Sequence, residues 1–209
     1  MRIREPFNGA SHLLGLLLAV AGSVLLLRIA HGPSELVGFG VYGATLILLY
    51  GASTLYHTLT LPERPHRALR TLDHIAIYFL IAGTYTPVAL ITLKGPLGWT
   101  LLAAVWLIAL AGIPFKLFFL DAPVWLSTGT YLAMGYLALI AVVPLAHIVS
   151  IGGMAWLIAG GIAYTLGAVI YARQRPDPFP DRFGHHEIWH LLVLAGSGCH
   201  FAFMLYHVA

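Results

Sequence analysis

The chain alternates between long apolar runs and short polar breaks that are rich in proline and glycine. Each run is close to the roughly 20 residues that a helix needs to cross the hydrocarbon core of a bilayer. Strands of a membrane barrel would be shorter and would alternate in polarity. The pattern therefore predicts an all-α membrane protein, a bundle of seven transmembrane helices in one domain over residues 1–209. The predicted spans are about 12 to 30, 35 to 58, 72 to 93, 97 to 118, 125 to 146, 151 to 172 and 185 to 207.

Composition agrees with this pattern. The chain is 59% hydrophobic and only 9% charged, whereas soluble domains carry about 25% charged residues. We therefore expect an integral, multi-pass protein of the inner (plasma) membrane. The net charge of +3 does not indicate a nucleic-acid partner, because the basic residues fall in short breaks between spans. The single cysteine, Cys199, excludes an internal disulfide bond.

The distribution of Lys and Arg predicts the orientation of the bundle. Nine of the eleven fall on the side of the membrane that holds the N-terminus, and only Arg28 and Lys94 fall on the other side. Because cytoplasmic loops carry the excess of basic residues, we expect a cytoplasmic N-terminus and an external C-terminus. The nine are Arg2, Arg4, Arg64, Arg67, Arg70, Lys116, Arg173, Arg175 and Arg182.

Several polar residues fall inside the predicted spans, where such groups are costly and usually functional. Ser53 and His57 lie four residues apart at the end of span two, and His186 and His190 have the same spacing at the start of span seven. Asp73 lies at the start of span three. The topology brings these three span ends to the same side. The five residues are therefore expected at one depth, near the cytoplasmic leaflet.

A zinc site would explain such a layer. Zinc accepts imidazole nitrogens as ligands, and a catalytic zinc site typically has three protein ligands and one position for water. His186 and His190, which are one helical turn apart, could share an ion with His57 of another helix. Asp73 could orient the bound water or accept its proton, and Ser53 could form hydrogen bonds beside it. Iron or cobalt remains an alternative metal at this stage.

Each residue also has a simpler interpretation. The two histidines of the HxxxH motif could make hydrogen bonds between helices, and Ser53 could bond its own backbone four residues earlier. Asp73 could cap a helix start, and His57 could face lipid headgroups. Glu5, Asn8 and His12 form either a small network at the cytoplasmic end or a charged helix start. A further interpretation assigns close helix packing to Gly83, Gly160, Gly161 and Gly167.

Three stretches together resemble the bacterial hemolysin III family, which belongs with the progestin and adiponectin receptor proteins. They are "STLYH" at 53 to 57, "LDHIAIYFLIAGTYTP" at 72 to 87 and "GHHEIWHLLVLAGSGCHF" at 184 to 201. The resemblance implies seven helices around a zinc ion held by His57, His186 and His190, with Asp73 and Ser53 close by. It leaves the activity open, since relatives are linked both to ceramide hydrolysis and to membrane lipid homeostasis.

The leading hypothesis from the sequence is a zinc-dependent intramembrane hydrolase of a lipid amide or ester. Asp73 would act as the general base or orient the water, and zinc and Ser53 would stabilise the oxyanion. A membrane lipid would be its substrate or ligand. The first alternative is a zinc-containing membrane sensor or regulator without turnover. A third hypothesis, a pore-forming hemolysin, fits poorly because pore formers usually begin as soluble proteins.

Overall fold

The computed structural model describes residues 4–180 and 182–208, so Arg2 of the orientation argument lies outside it. In this part of the chain, seven helices are long and apolar enough to cross a membrane, and no β-strand forms. The all-α, seven-helix prediction is therefore confirmed, whereas the orientation stays a prediction. The helices are α1 (Pro6–Ile29), α2 (Pro33–Thr58), α3 (Glu63–Leu93), α4 (Gly95–Phe118), α5 (Val124–Ile148), α6 (Ile151–Arg173) and α7 (His185–Val208).

Two helices begin well before their apolar runs. α1 starts at Pro6, where the missing N–H of proline costs nothing because the first N–H groups of a helix have no partner within it. α3 starts at Glu63 rather than near residue 72, with Pro65 in its first turn. The predicted start of span three near residue 72 was therefore about nine residues too late. The three arginines of this region lie on the helix, at 64, 67 and 70.

The helices form a ring with one peripheral member. α1 packs between α2 and α7, α2 packs on α3, and the ring closes through α5 and α6, while α4 packs on α3. α2 and α3 are the most buried of the seven. Large apolar side chains elsewhere, such as Leu107 and Ile151, point outward. Such an outward apolar surface is what a bilayer would cover.

Some helix pairs approach closely at glycine. A Cβ atom at Gly83 would overlap Thr45 of α2, and one at Gly167 would lie 2.9 Å from Trp189 of α7. Gly160 is equally confined, against the His200 ring. The packing interpretation therefore holds for these three glycines. It was wrong for Gly161, because nothing lies within 4 Å of a Cβ atom built there.

Prolines accompany a change from regular α-helical hydrogen bonding in two helices. α3 changes to a π-helix at Val88–Leu93 directly after Pro87, and α5 contains a 3₁₀ turn at Leu137–Ala141 just before Pro144. Proline has no N–H and its ring crowds the carbonyl four residues earlier, so the neighbouring turns change pitch. The π-helical end of α3 belongs to the end of the bundle opposite to His57.

Candidate metal centre

Three histidines from two helices meet at one end of the bundle. His57 lies in the last turn of α2, and His186 and His190 lie in the first two turns of α7. Each offers one ligand atom, and the three atoms all lie within 4.8 Å of one another. The ring centroids are 4.7, 4.9 and 5.1 Å apart. The side chains predicted to converge therefore do converge, on a common point.

The chemistry of this cluster fits a metal ion. Three imidazoles are neutral nitrogen donors of the type that transition metals prefer. His57 and His190 are 1% and 2% exposed, and Nδ1 of His190 is buried without a hydrogen-bond partner. A hydrogen-bonding role between helices, the simpler interpretation of the HxxxH motif, does not account for that unpartnered nitrogen of His190. The three histidines could hold a metal ion after small side-chain adjustments.

Glu5 fixes the ring of His57. Its Oε2 atom lies 2.7 Å from Nδ1 of His57, and its backbone N–H donates to the His57 carbonyl over 3.0 Å. The hydrogen bond from His57 lowers the pKa of Glu5 to about 2, against an opposing effect of burial. An ionised carboxylate only accepts hydrogen bonds, so Nδ1 carries the proton and Nε2 of His57 is left for a metal. Carboxylates commonly orient metal-binding histidines in this way.

Asn8 joins the start of α1 to the start of α7. Its Nδ2 atom donates to Glu5 Oε2 over 3.2 Å and to Glu187 Oε1 over 3.0 Å. The other oxygen of Glu187 accepts from the backbone N–H of Gly184 over 2.9 Å, which caps α7. One amide thereby couples the carboxylate that holds His57 to the helix end that carries His186 and His190.

His12 of α1 extends the cluster on its inner side. Its ring stacks on His190 with centroids 3.8 Å apart, and its Nδ1 atom lies 2.7 Å from Ser53 Oγ. The hydroxyl of Ser53 therefore has a side-chain partner on another helix rather than only its own backbone. The predicted network of Glu5, Asn8 and His12 is confirmed for the first two residues, whereas His12 pairs with Ser53.

Asp73 lies beside Ser53. Ser53 and His57 are both close enough to the Asp73 carboxylate to influence it electrostatically. Because α3 begins at Glu63, Asp73 lies ten residues inside the helix and does not cap it. At the same end of the bundle as Asp73 lie Ser53, His57, His186 and His190.

Sequence comparison identifies the family to which the chain belongs. The sequence profile of the family described as "Haemolysin-III related" matches residues 1–201. The chain belongs to the haemolysin-III-related family. The resemblance found from the three sequence stretches is thereby confirmed.

Relatives in this family and in its wider group cover almost the whole chain. Hemolysin-3 of Bacillus cereus is 44% identical over 207 residues, which are 98% of this chain and 91% of that protein. The monocyte to macrophage differentiation factor of Homo sapiens is 28% identical over 93% of the chain and 80% of its own length. The adiponectin receptor protein of Drosophila melanogaster is 25% identical over 94% of the chain and 49% of its own length. No solved structure matches the chain.

Two functional contacts of this haemolysin-III-related protein were not expected from the sequence. Glu5 and His57 are 52 residues apart in the sequence. The stacking of His12 on His190 joins α1 to α7. A polar helix start at "EPFNGASH" was the only local signal for either contact. A residue that precedes an apolar run, such as Glu5, is normally assigned to the aqueous phase. Hydropathy therefore gives no sign that Glu5 contacts a buried histidine.

Proposed function

We propose that the protein is a zinc-dependent intramembrane hydrolase of a lipid amide or ester. The observation that carries this proposal is the convergence of three imidazoles beside the Asp73 carboxylate and the Ser53 hydroxyl. Nitrogen ligands favour zinc over magnesium and calcium, which take oxygen ligands. The ligands would be His57, His186 and His190.

Zinc in such a site supplies Lewis acidity and activates water at neutral pH. The remaining chemistry belongs to side chains of the protein. Asp73 accepts a proton from the attacking water, which makes it the general base, and returns that proton to the leaving nitrogen or oxygen as the carbonyl C–N or C–O bond breaks. Ser53 donates its hydroxyl proton towards the carbonyl oxygen, where negative charge develops. His12 holds the Ser53 hydroxyl in place through the 2.7 Å hydrogen bond.

The depth of the cluster supports a lipid substrate. The proposed ligands and reacting side chains belong to helices that are long and apolar enough to span a bilayer, at the end of the bundle where α2 ends and α7 begins. Ester and amide bonds of membrane lipids lie at a comparable depth, just below the headgroups. A water-soluble substrate would have to leave the aqueous phase to reach Asp73, whereas a lipid would only have to move sideways.

Lipid hydrolysis in ¹⁸O-labelled water tests the proposal. Purified protein is incubated separately with N-acyl sphingolipids, other N-acyl lipids and glycerophospholipids, and released fatty acids are measured by mass spectrometry. Hydrolysis places ¹⁸O in the released carboxylate. Asp73→Asn should abolish release while metal content persists, whereas Asp121→Asn, a change at an exposed loop aspartate, should leave release intact.

Two results would argue against the hydrolase. No labelled fatty acid above a chelated control from any of the three lipid classes would remove the catalytic role. Metal-containing wild type without turnover would instead favour the sensor or regulator. Release that is unaffected by Asp73→Asn would keep hydrolysis but overturn the assigned base.

A further inference from the structure

A second polar feature lies beside the candidate metal centre and is not used by the proposed reaction. Lys116 of α4 is completely buried, with 0% of the residue exposed. Its Nζ atom donates to Ser127 Oγ over 2.6 Å and lies 5.0 Å from the ring centroid of Phe115 and 5.6 Å from that of Tyr131. No carboxylate of the described residues lies within ion-pair distance of it. A buried cation without a counter-ion is costly.

A cavity lies against two of the residues that Lys116 contacts. It has an open mouth and a volume of about 50 Å³, and Ser127 and Tyr131, two of the three residues that Lys116 contacts, are part of its wall. Arg70 and His74 of α3 also face it. Lys116 and Arg70 are both close enough to His74 to interact with it electrostatically. Lys116 of α4 and Arg70 of α3 therefore both place positive charge near this cavity.

The acidic groups nearby do not neutralise this cavity. Asp121 is bonded to both Arg70, over 2.7 Å, and Arg67, over 2.9 Å, and its side chain is 58% exposed. Asp73 lies close to Tyr131 and Tyr171, but it is not part of the cavity wall. The cavity wall itself contains basic groups and no carboxylate.

The remaining wall is apolar and reaches the metal centre. It includes Ile77, Leu120, Val124 and Trp189. Tyr171 closes the side towards the histidines, with its ring 5.4 Å from the His186 ring and 5.5 Å from the Trp189 ring. A ligand for this cavity would combine one compact anionic group with an adjoining apolar part, and it would reach the cavity at the end of the membrane-spanning helices.

We propose that this cavity binds the phosphate of an anionic membrane phospholipid, through Arg70 and the Ser127 hydroxyl that Lys116 contacts. The phosphate supplies the missing negative charge near Lys116, and the glycerol and first acyl carbons pack on the apolar wall. The site does not depend on hydrolysis, because it concerns binding alone. Free inorganic phosphate shares the anionic chemistry but leaves the apolar wall uncovered.

Native mass spectrometry of the full-length protein tests this site. The protein is exchanged into mixed micelles that contain phosphatidylglycerol and phosphatidylcholine, and retained lipids are counted. Wild type should retain phosphatidylglycerol in preference to phosphatidylcholine. Lys116→Met should reduce that preference about fivefold, because one basic side chain contributes about 1 kcal/mol to the attraction of an anionic lipid. Lys94→Met, which changes the other lysine of the chain at the opposite bundle end, is the matched control.

A second pair of variants keeps the test valid if Lys116→Met misfolds. Arg70→Gln and Arg67→Gln each remove one ion pair with Asp121, but Arg67 does not line this cavity. Retention that falls in Arg70→Gln and persists in Arg67→Gln supports the site. Equal retention in both variants and in Lys116→Met overturns it. Displacement of the lipid by excess inorganic phosphate at constant ionic strength would overturn the phospholipid as the source of the anion.

Discussion

Nδ1 of His57 donates to the Glu5 carboxylate over 2.7 Å, so the first described turn of the chain positions a residue at the end of α2. The bond sets the tautomer of the imidazole and leaves Nε2 available to bind a metal ion. Because Glu5 also accepts from Asn8, its position depends on α1 and α7 together. The cluster is thereby oriented before any ion arrives, which lowers the cost of assembling a binding site.

Replacing Glu5 should weaken metal binding without removing a ligand. We expect Glu5→Ala to lower the affinity of the purified protein for zinc by about 10- to 100-fold, the range seen when such partners are lost. Glu5→Gln keeps an acceptor oxygen and should have a smaller effect. Competition with a chromogenic chelator measures both. Glu63→Ala, at the exposed start of α3, serves as the control, and an unchanged affinity in Glu5→Ala would show that Glu5 does not support the site.

The metal ligands could be predicted because their signals are local. Two histidines four residues apart share a helix face whatever the fold, and a count of spans places that face at the level of His57. Hydropathy could not predict the partner of His57, since Glu5 precedes the apolar run and reaches the histidine only through tertiary folding. Contacts of this kind depend on how α1 packs against α2. The local hydrophobic pattern of a sequence carries no information about that packing.

The start of α3 shows a second limit of the sequence pattern. Hydropathy reports which residues prefer lipid, whereas a helix continues for as long as its backbone hydrogen bonds are satisfied. The polar stretch from Glu63 to Thr71 satisfies them outside the apolar run. This extra length moves Asp73 into the helix interior, and it places Arg70 near the cavity between α3 and α5.

Removal of one histidine of the cluster should remove the metal. We expect about one zinc ion per chain in wild-type protein purified without chelator, because three imidazoles form a complete set of protein ligands for a catalytic site. His190→Ala should contain almost none, as measured by inductively coupled plasma mass spectrometry. His147→Ala, an exposed histidine at the end of α5, should retain the ion. Metal in His190→Ala at the wild-type level would place the ion elsewhere.

Two adjacent glycines of α6 should respond differently to the same change. A methyl group at Gly160 would meet the buried ring of His200 and the Gly196 carbonyl, whereas one at Gly161 would meet nothing within 4 Å. We expect Gly160→Ala to destabilise the bundle by about 1–3 kcal/mol through overpacking. Gly161→Ala should be neutral or slightly stabilising, because alanine is the better helix former by up to about 1 kcal/mol. Thermal melting in detergent compares them, and equal melting temperatures would show that α6 and α7 can separate locally.

The orientation of the bundle can be tested with single cysteines. In a Cys199→Ser background, Gly32→Cys lies between α1 and α2, at an open position with extended backbone, and Phe179→Cys lies in the exposed loop between α6 and α7. The basic residues predict that the first loop is external and the second cytoplasmic. A membrane-impermeant maleimide should therefore label Gly32→Cys in intact spheroplasts and Phe179→Cys only after lysis. The reverse pattern would place the histidine cluster at the external face, so that its lipid and metal would both come from outside the cell.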